Sequence, residues 1–220
     1  MTILKPIRAA AGGLILLAAC GVAAPANAQA AANVAASEWT IGPIINGRNH
    51  SRGMPLQPTP GRNGAWHIDL PQAPGSVHYV TFRHGSLAGK SRIVMRYRIE
   101  AAPGVRISPR GYPQWEALLT PYFQRRGDNW SAAGRFETYR WYGTFASKPM
   151  QRGEHVIVAP LTANWTALER STAHGNSAAF RDALAHADEV GFVLGGGDGY
   201  GHGAFASGRA RLVVTEFRVE

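Results

Sequence analysis

Polar and apolar positions alternate most regularly from Ser91 to Glu100, where Ile93, Met95, Tyr97 and Ile99 interleave with Arg92, Arg96 and Arg98. A period of two with one dry and one wet face predicts a half-buried strand. Val77 to Arg83, rich in Val, Tyr, Thr and Phe, predicts a second strand. Glu116 to Gln124 and Arg135 to Phe145 predict a hairpin pair, joined through Arg125 to Ser131, whose Gly127, Asp128 and Asn129 are turn formers. His155 to Leu161 reads as a strand ended at Pro160, with Asn164 to Leu168 continuing it after a kink. Phe180, Leu184 and Ala187 recur at helical spacing and predict one helix over Asn176 to Ala187. Glu189 to Leu194 and Arg209 to Val219 complete the strands, the latter with Val213, Phe217 and Val219 expected on one face. Many short strands around one brief helix predict an all-β fold, a two-sheet antiparallel jelly-roll sandwich.

The first residues change the picture of where this sandwich works. Lys5 and Arg8 precede an apolar run from Ala9 to Ala19, and Ala26-Asn27-Ala28 forms a small-x-small cleavage site before Gln29. That is the layout of a secretion signal, and the run is shorter than the roughly 20 apolar residues a membrane span needs. A second reading competes: Leu17-Ala18-Ala19-Cys20 has the form of a bacterial lipobox, in which Cys20 is lipidated and becomes the first mature residue. Either way the product is expected outside the cytoplasm, periplasmic or extracellular, with a membrane contact only through such an anchor. The expected organisation is a signal over 1–28, a disordered lead-in over 29–37 and one β-sandwich domain over 38–220. Cys20 is the only cysteine, so the domain must hold together by its core, for which about 180 residues suffice.

The formal charge is +9, and removal of Lys5 and Arg8 lowers it by two. Beyond them only Lys90 and Lys148 are lysines; the other basic residues are arginines. Nucleotide bias in the coding sequence explains this blandly. The functional reading is an anionic partner, because the planar guanidinium pairs bidentately with carboxylates. Export and the lack of a dense basic run argue against nucleic acid.

Val156-Ile157-Val158-Ala159-Pro160-Leu161, then Asn164-Trp165, the short helix through Phe180, Val190-Gly191-Phe192-Val193 and a closing strand through Phe217-Arg218-Val219 stand in a familiar order. This order resembles the C-terminal half of galactose-binding-like jelly rolls, which include many carbohydrate-binding modules. The resemblance spans residues 150–220, and before that only the strand rhythm agrees. It implies a glycan-binding sandwich and carries over no ligand residue.

Three constellations carry candidate chemistry. The first is the glycine-rich segment Gly195 to Gly203, with Asp198 and His202 as candidate ligand contacts. It lacks the ending of a phosphate loop, and the alternative is a tight loop whose Asp bonds its own backbone. The second is aromatic: Tyr112, Trp115, Tyr122, Trp130, Tyr139, Trp141 and Tyr142. Trp130, in a turn with Arg126 and Asn129, is the candidate for stacking on a sugar, whereas Tyr139 and Trp141 alternate with Phe145 as core would. The third is the polar loop from Asn46 to Arg52, with Arg48 and Asn49 as candidate contacts.

Catalytic templates are missing: G-x-S-x-G, H-E-x-x-H and C-x-x-C do not occur, and the histidines show no metal spacing. A facing pair of acids, such as Glu116 with Glu137, would be needed for glycoside hydrolysis. The expectation is therefore a non-catalytic domain that binds a polysaccharide or other glycan, with no cofactor and no metal. The alternative is a polysaccharide lyase or hydrolase on the same scaffold.

Overall fold

The computed structural model describes Met1 and residues 33–75, 77–196 and 200–220. The expected signal, Cys20 and Asp198 lie outside the described residues. In chain order the strands are β1 (Trp39–Gly42), β2 (Ile44–Ile45), β3 (Arg48–Asn49), β4 (Thr59–Pro60), β5 (Trp66–Asp69), β6 (His78–Arg83), β7 (Arg92–Ala101) and β8 (Ile107–Pro109). They continue as β9 (Leu118–Arg125), β10 (Arg140–Tyr142), β11 (Lys148–Pro149), β12 (Gly153–Pro160) and β13 (Thr166–Ala167). The helix α1 (Ser177–Ala185) then leads to β14 (Ala187–Gly195), β15 (Ala204–Ala206) and β16 (Ala210–Val219).

Two antiparallel sheets face each other. One has seven strands in the order β1-β6-β14-β9-β10-β13, with β11 also paired to β9; the other has five, ordered β12-β7-β16-β5-β4. The all-β sandwich with one short α-helix is thus the fold. Each sheet has a central strand from the end of the chain: β14 lies between β6 and β9, and β16 between β7 and β5.

Alternation decides what each sheet buries. On β7, Ile93, Met95, Tyr97 and Ile99 point inward, each at most 2% exposed, while Arg92 and Arg96 stay in water. Trp39 sits at the centre, with ring centroids 4.8 Å from both Trp66 and Phe82 and 5.0 Å from Phe217, edge-on to the last. Asn176 caps α1 by accepting from the Ala179 amide, and Phe180 drops against Phe123 and Trp141. The helix stops at Ala185 rather than Ala187, because Ala187 begins β14.

Three expectations fail for local reasons. Val213 does not share a face with Phe217: a bulge between Val214 and Glu216 resets the alternation, so that Leu212, Val214 and Phe217 are buried. The second arm of the β9 hairpin shrinks to Arg140–Tyr142, since Gly134–Thr138 forms a 3-10 turn and Phe145 remains 46% exposed. Within the expected disordered lead-in over 29–37, the described residues 33–37 are ordered and held by Asn33. Its side chain donates to the Thr215 carbonyl (2.6 Å) and accepts from the Phe217 amide (2.9 Å), two backbone groups at the β16 bulge.

The outer face of the five-stranded sheet carries a lattice of ion pairs: Arg92–Glu220, Arg96–Glu216, Arg98–Glu100, Arg211–Asp69 and Arg218 with Glu216 and Glu220. The arginines that alternate along β7 are therefore neutralised in place.

Substitutions separate these contributions. Trp39→Ala is expected to cost about 3–5 kcal/mol in urea unfolding, the range for truncating a buried aromatic. Asn33→Ala should cost about 1–3 kcal/mol by stripping the bulge of its partners, and Val213→Ala about 0.5 kcal/mol or less.

Candidate functional site

The outer face of the seven-stranded sheet follows from the same alternation. Thr40 on β1, Tyr79, Thr81 and Arg83 on β6, Glu189, Gly191 and Val193 on β14, Tyr122 and Gln124 on β9, and Arg140 and Tyr142 on β10 share it. This face is not left to water. Tyr79, Tyr122, Tyr142 and Val193 form a second buried cluster, with Trp130, Leu168 and Tyr200 packed on it.

The segment after β9 turns back over this cluster. Trp130 and Ala132 adopt left-handed backbone conformations, with φ of 65° and 57°. What holds the turn is Asp128. Its fully buried carboxylate lies 2.8 Å from Arg140 Nε and accepts from Gln124 Nε2 (3.2 Å) and the Trp130 amide (3.0 Å). The Arg140 guanidinium in turn lies 4.7 Å from the Trp130 ring centre, and Trp130 stands edge-on to Tyr79 at 5.2 Å. Burial pushes the Asp128 carboxyl above the usual carboxylate range, with the Arg140 charge acting against that shift.

The tyrosines extend the network. The Tyr79 and Tyr142 hydroxyls are 2.9 Å apart, and the Tyr122 hydroxyl donates to Gln124 Oε1 at 2.8 Å. Burial raises the pKa of all three, so they stay neutral. Tyr200 closes the cluster against Tyr142 at 4.7 Å. Gly201 is required beside it: a Cβ there would lie 2.4 Å from the Tyr79 ring.

A groove of about 590 Å³ opens next to Trp130, between the turn and strand β1. Thr40, Tyr79, Thr81 and Glu189 line it from the sheet, with Glu38, Pro43 and Ile44 along one side and Arg83 at the end of β6. A bulge between Ala187 and Glu189 brings Glu189 to this face, where its carboxylate accepts from the Thr81 hydroxyl at 2.9 Å. Burial raises the pKa of this carboxyl, and the Thr81 hydrogen bond only partly opposes the shift. The groove thus offers one half-buried indole, hydroxyls and two carboxylates. No group of metal-ligand residues occurs among the described residues.

The candidate residues of the sequence are dispersed. Trp130 alone lines the groove. Asn129 is engaged within the turn, accepting from Ser131. Arg126 lies 3.9 Å from Asp188 and borders a different hollow with His186. Arg48 and Asn49 form β3, paired to β2 at the groove's edge; Asn49 donates to the Ile41 carbonyl and accepts from the Ser51 amide. His202 is exposed beside Gly201. Glu116 and Glu137 do not pair: the first binds Gln151 and the second the Gly134 amide. Glu189 and Asp128 were missed because burial and a bulge, not residue type, make them unusual.

A Ser–His contact also appears. Ser51 Oγ lies 2.7 Å from His78 Nδ1, and both are buried, His78 fully. Burial lowers the His78 pKa to about 4, so the ring is neutral near pH 7. Neither residue lines the groove, and His78 has no carboxylate partner among the described residues. No protein-family model and no curated protein matches this chain.

Two outcomes follow. Asp128→Ala should cost about 3–5 kcal/mol in urea unfolding because it strands the Arg140 charge; adding Arg140→Met should recover part of that loss. A carboxyl whose folded pKa exceeds its unfolded value favours folding when protonated and loses that advantage as pH rises through the window between them. Glu189→Gln should therefore raise the urea midpoint over wild type at about pH 7 and match it at about pH 3.5.

Proposed function

We propose that this protein is an exported carbohydrate-binding domain whose glycan lies in the groove beside Trp130. The observation that carries the reading is the indole itself, fixed from behind by Arg140 and from the side by Tyr79 while still bordering a polar groove. An aromatic surface held in place meets the apolar C–H face of a sugar with little ordering cost. Thr40, Thr81, Glu38 and Glu189 supply donors and acceptors for hydroxyls around it. With two carboxylates against Arg83, this groove suits neutral sugars better than acidic ones. Export is supported by the sequence through Ala28, and the resemblance of residues 150–220 to galactose-binding-like jelly rolls points the same way.

A second reading rests on Glu189. Burial shifts the pKa of its carboxyl upward, the direction a glycosidase general acid needs. In that case the groove cleaves the glycan it holds.

The purified protein is tested on an array of neutral and acidic glycans. Trp130→Ala should weaken the best neutral ligand roughly five- to tenfold, the loss expected for about 1 kcal/mol of aromatic contact. Because the ring also covers Arg140, Trp130→Phe serves as the companion variant and should retain most binding with an unchanged melting temperature. Equal binding by wild type and Trp130→Ala removes the groove from consideration. Release of reducing ends that disappears in Glu189→Gln establishes the hydrolase instead.

A further inference from the structure

The arginines of this protein fall into two populations. On the outer face of the five-stranded sheet each of Arg92, Arg96, Arg98, Arg211 and Arg218 has a carboxylate partner. Arg52 and Arg110 have none: no carboxylate of the described residues lies within 4.0 Å of either. Both border the same recess, of about 620 Å³, where the loops after β3, β5 and β8 meet. Pro71, Pro74, Gly53 and Gly75 form its walls, and among the described residues no acidic side chain lines it.

The walls of the recess are closely packed. A Cβ at Gly75 would lie 2.4 Å from the Arg52 carbonyl oxygen, and one at Gly53 would lie 3.0 Å from Pro71 Cβ, so Gly75 packs on the Arg52 backbone and Gly53 on the Pro71 ring. The Ala206 amide donates to the Pro71 carbonyl at 2.8 Å, and the Arg110 amide to the Gly203 carbonyl at 3.1 Å. Two arginines on neighbouring loops thus border one hollow. Like charges so placed repel, and an anion between them removes the repulsion while taking charge-assisted hydrogen bonds from both. The loop that carries Arg110 also carries Trp115, which is 49% exposed and stacked on Tyr112 with ring centres 4.5 Å apart and planes within 9°.

We propose that the recess between Arg52 and Arg110 is a second glycan site, specific for an acidic sugar whose carboxylate or sulfate enters between the two arginines. The aromatic pair on the adjoining loop favours a polysaccharide over a lipid headgroup as the source of that anion, because a sugar ring stacks on an indole. The site is separate from the Trp130 groove and stands whether or not that groove binds neutral sugars.

Affinity electrophoresis of the full protein through gels containing polygalacturonate or dextran sulfate tests this. Wild type should be retarded in at least one, and the retardation should fall between about 0.05 and 0.5 M salt, as screening requires. The Arg52→Gln/Arg110→Gln variant should show at least roughly fivefold weaker retardation, a loss on the scale of about 1 kcal/mol. The Arg92→Gln/Arg96→Gln variant, which lowers the charge equally from the paired face, should migrate as wild type does. A melting temperature unchanged in both variants shows that each is folded; if the first is not, Arg52→Lys/Arg110→Lys replaces it, keeping the charge but losing the bidentate fork. The proposal fails if neither polymer retards wild type, if both glutamine variants lose equally, or if the protein binds phosphatidylglycerol vesicles and neither polysaccharide.

Discussion

Asp128 and Arg140 leave water together, and the outer face of the seven-stranded sheet is built around that transfer. Taking two charges out of solvent is expensive, and their attraction repays it only when further hydrogen bonds complete the site. Here Gln124 and the Trp130 amide add bonds to the carboxylate, and the indole lies over the guanidinium. The turn after β9 is thereby fixed in a left-handed conformation that an unsupported chain would avoid. Without the pair, Trp130 would have no reason to face Tyr79, and one wall of the groove would be missing. The shape of the groove and the stability of the fold therefore rest on one interaction.

The same chain treats its other charges differently. Along β7 and β16, arginine and glutamate meet across the ladder at the surface, where each pair is worth about 0–1 kcal/mol and chiefly cancels repulsion. The net positive charge is thus carried away from that face, by arginines on loops such as Arg52 and Arg110. A basic composition says only that an anion is welcome. Register across the sheet determines which arginines are paired with carboxylates and which are not.

This division also shows what the sequence disclosed. The period-two pattern of β7 was legible because burial acts on each residue alone, and the helix was legible from the spacing of Phe180 and Leu184 along one face. The bulge at Thr215 was not legible: one inserted residue reverses the faces of β16, and its partner, Asn33, lies at the opposite end of the chain. Trp130 was identifiable as an aromatic in a polar turn. Its direction was not, since that depends on Arg140, and the turn formers Gly127, Asp128 and Asn129 read equally well as a projecting loop. Glu189 was hidden for a similar reason, its orientation being set by a bulge in β14.

The placement of β14 and β16 bears on how the molecule is made. Each is the strand that joins the halves of its sheet, and both come from the final stretch of chain. Residue 80 finds its neighbour at residue 192, and residue 95 at residue 217, so loop-closure entropy is paid over long separations before pairing returns anything. Until the last strand is available, the earlier ones have open edges and half a core. Pairings of this separation form more slowly than local ones. The topology that closes the sandwich last also leaves its strand edges unpaired longest, which is where aggregation would begin.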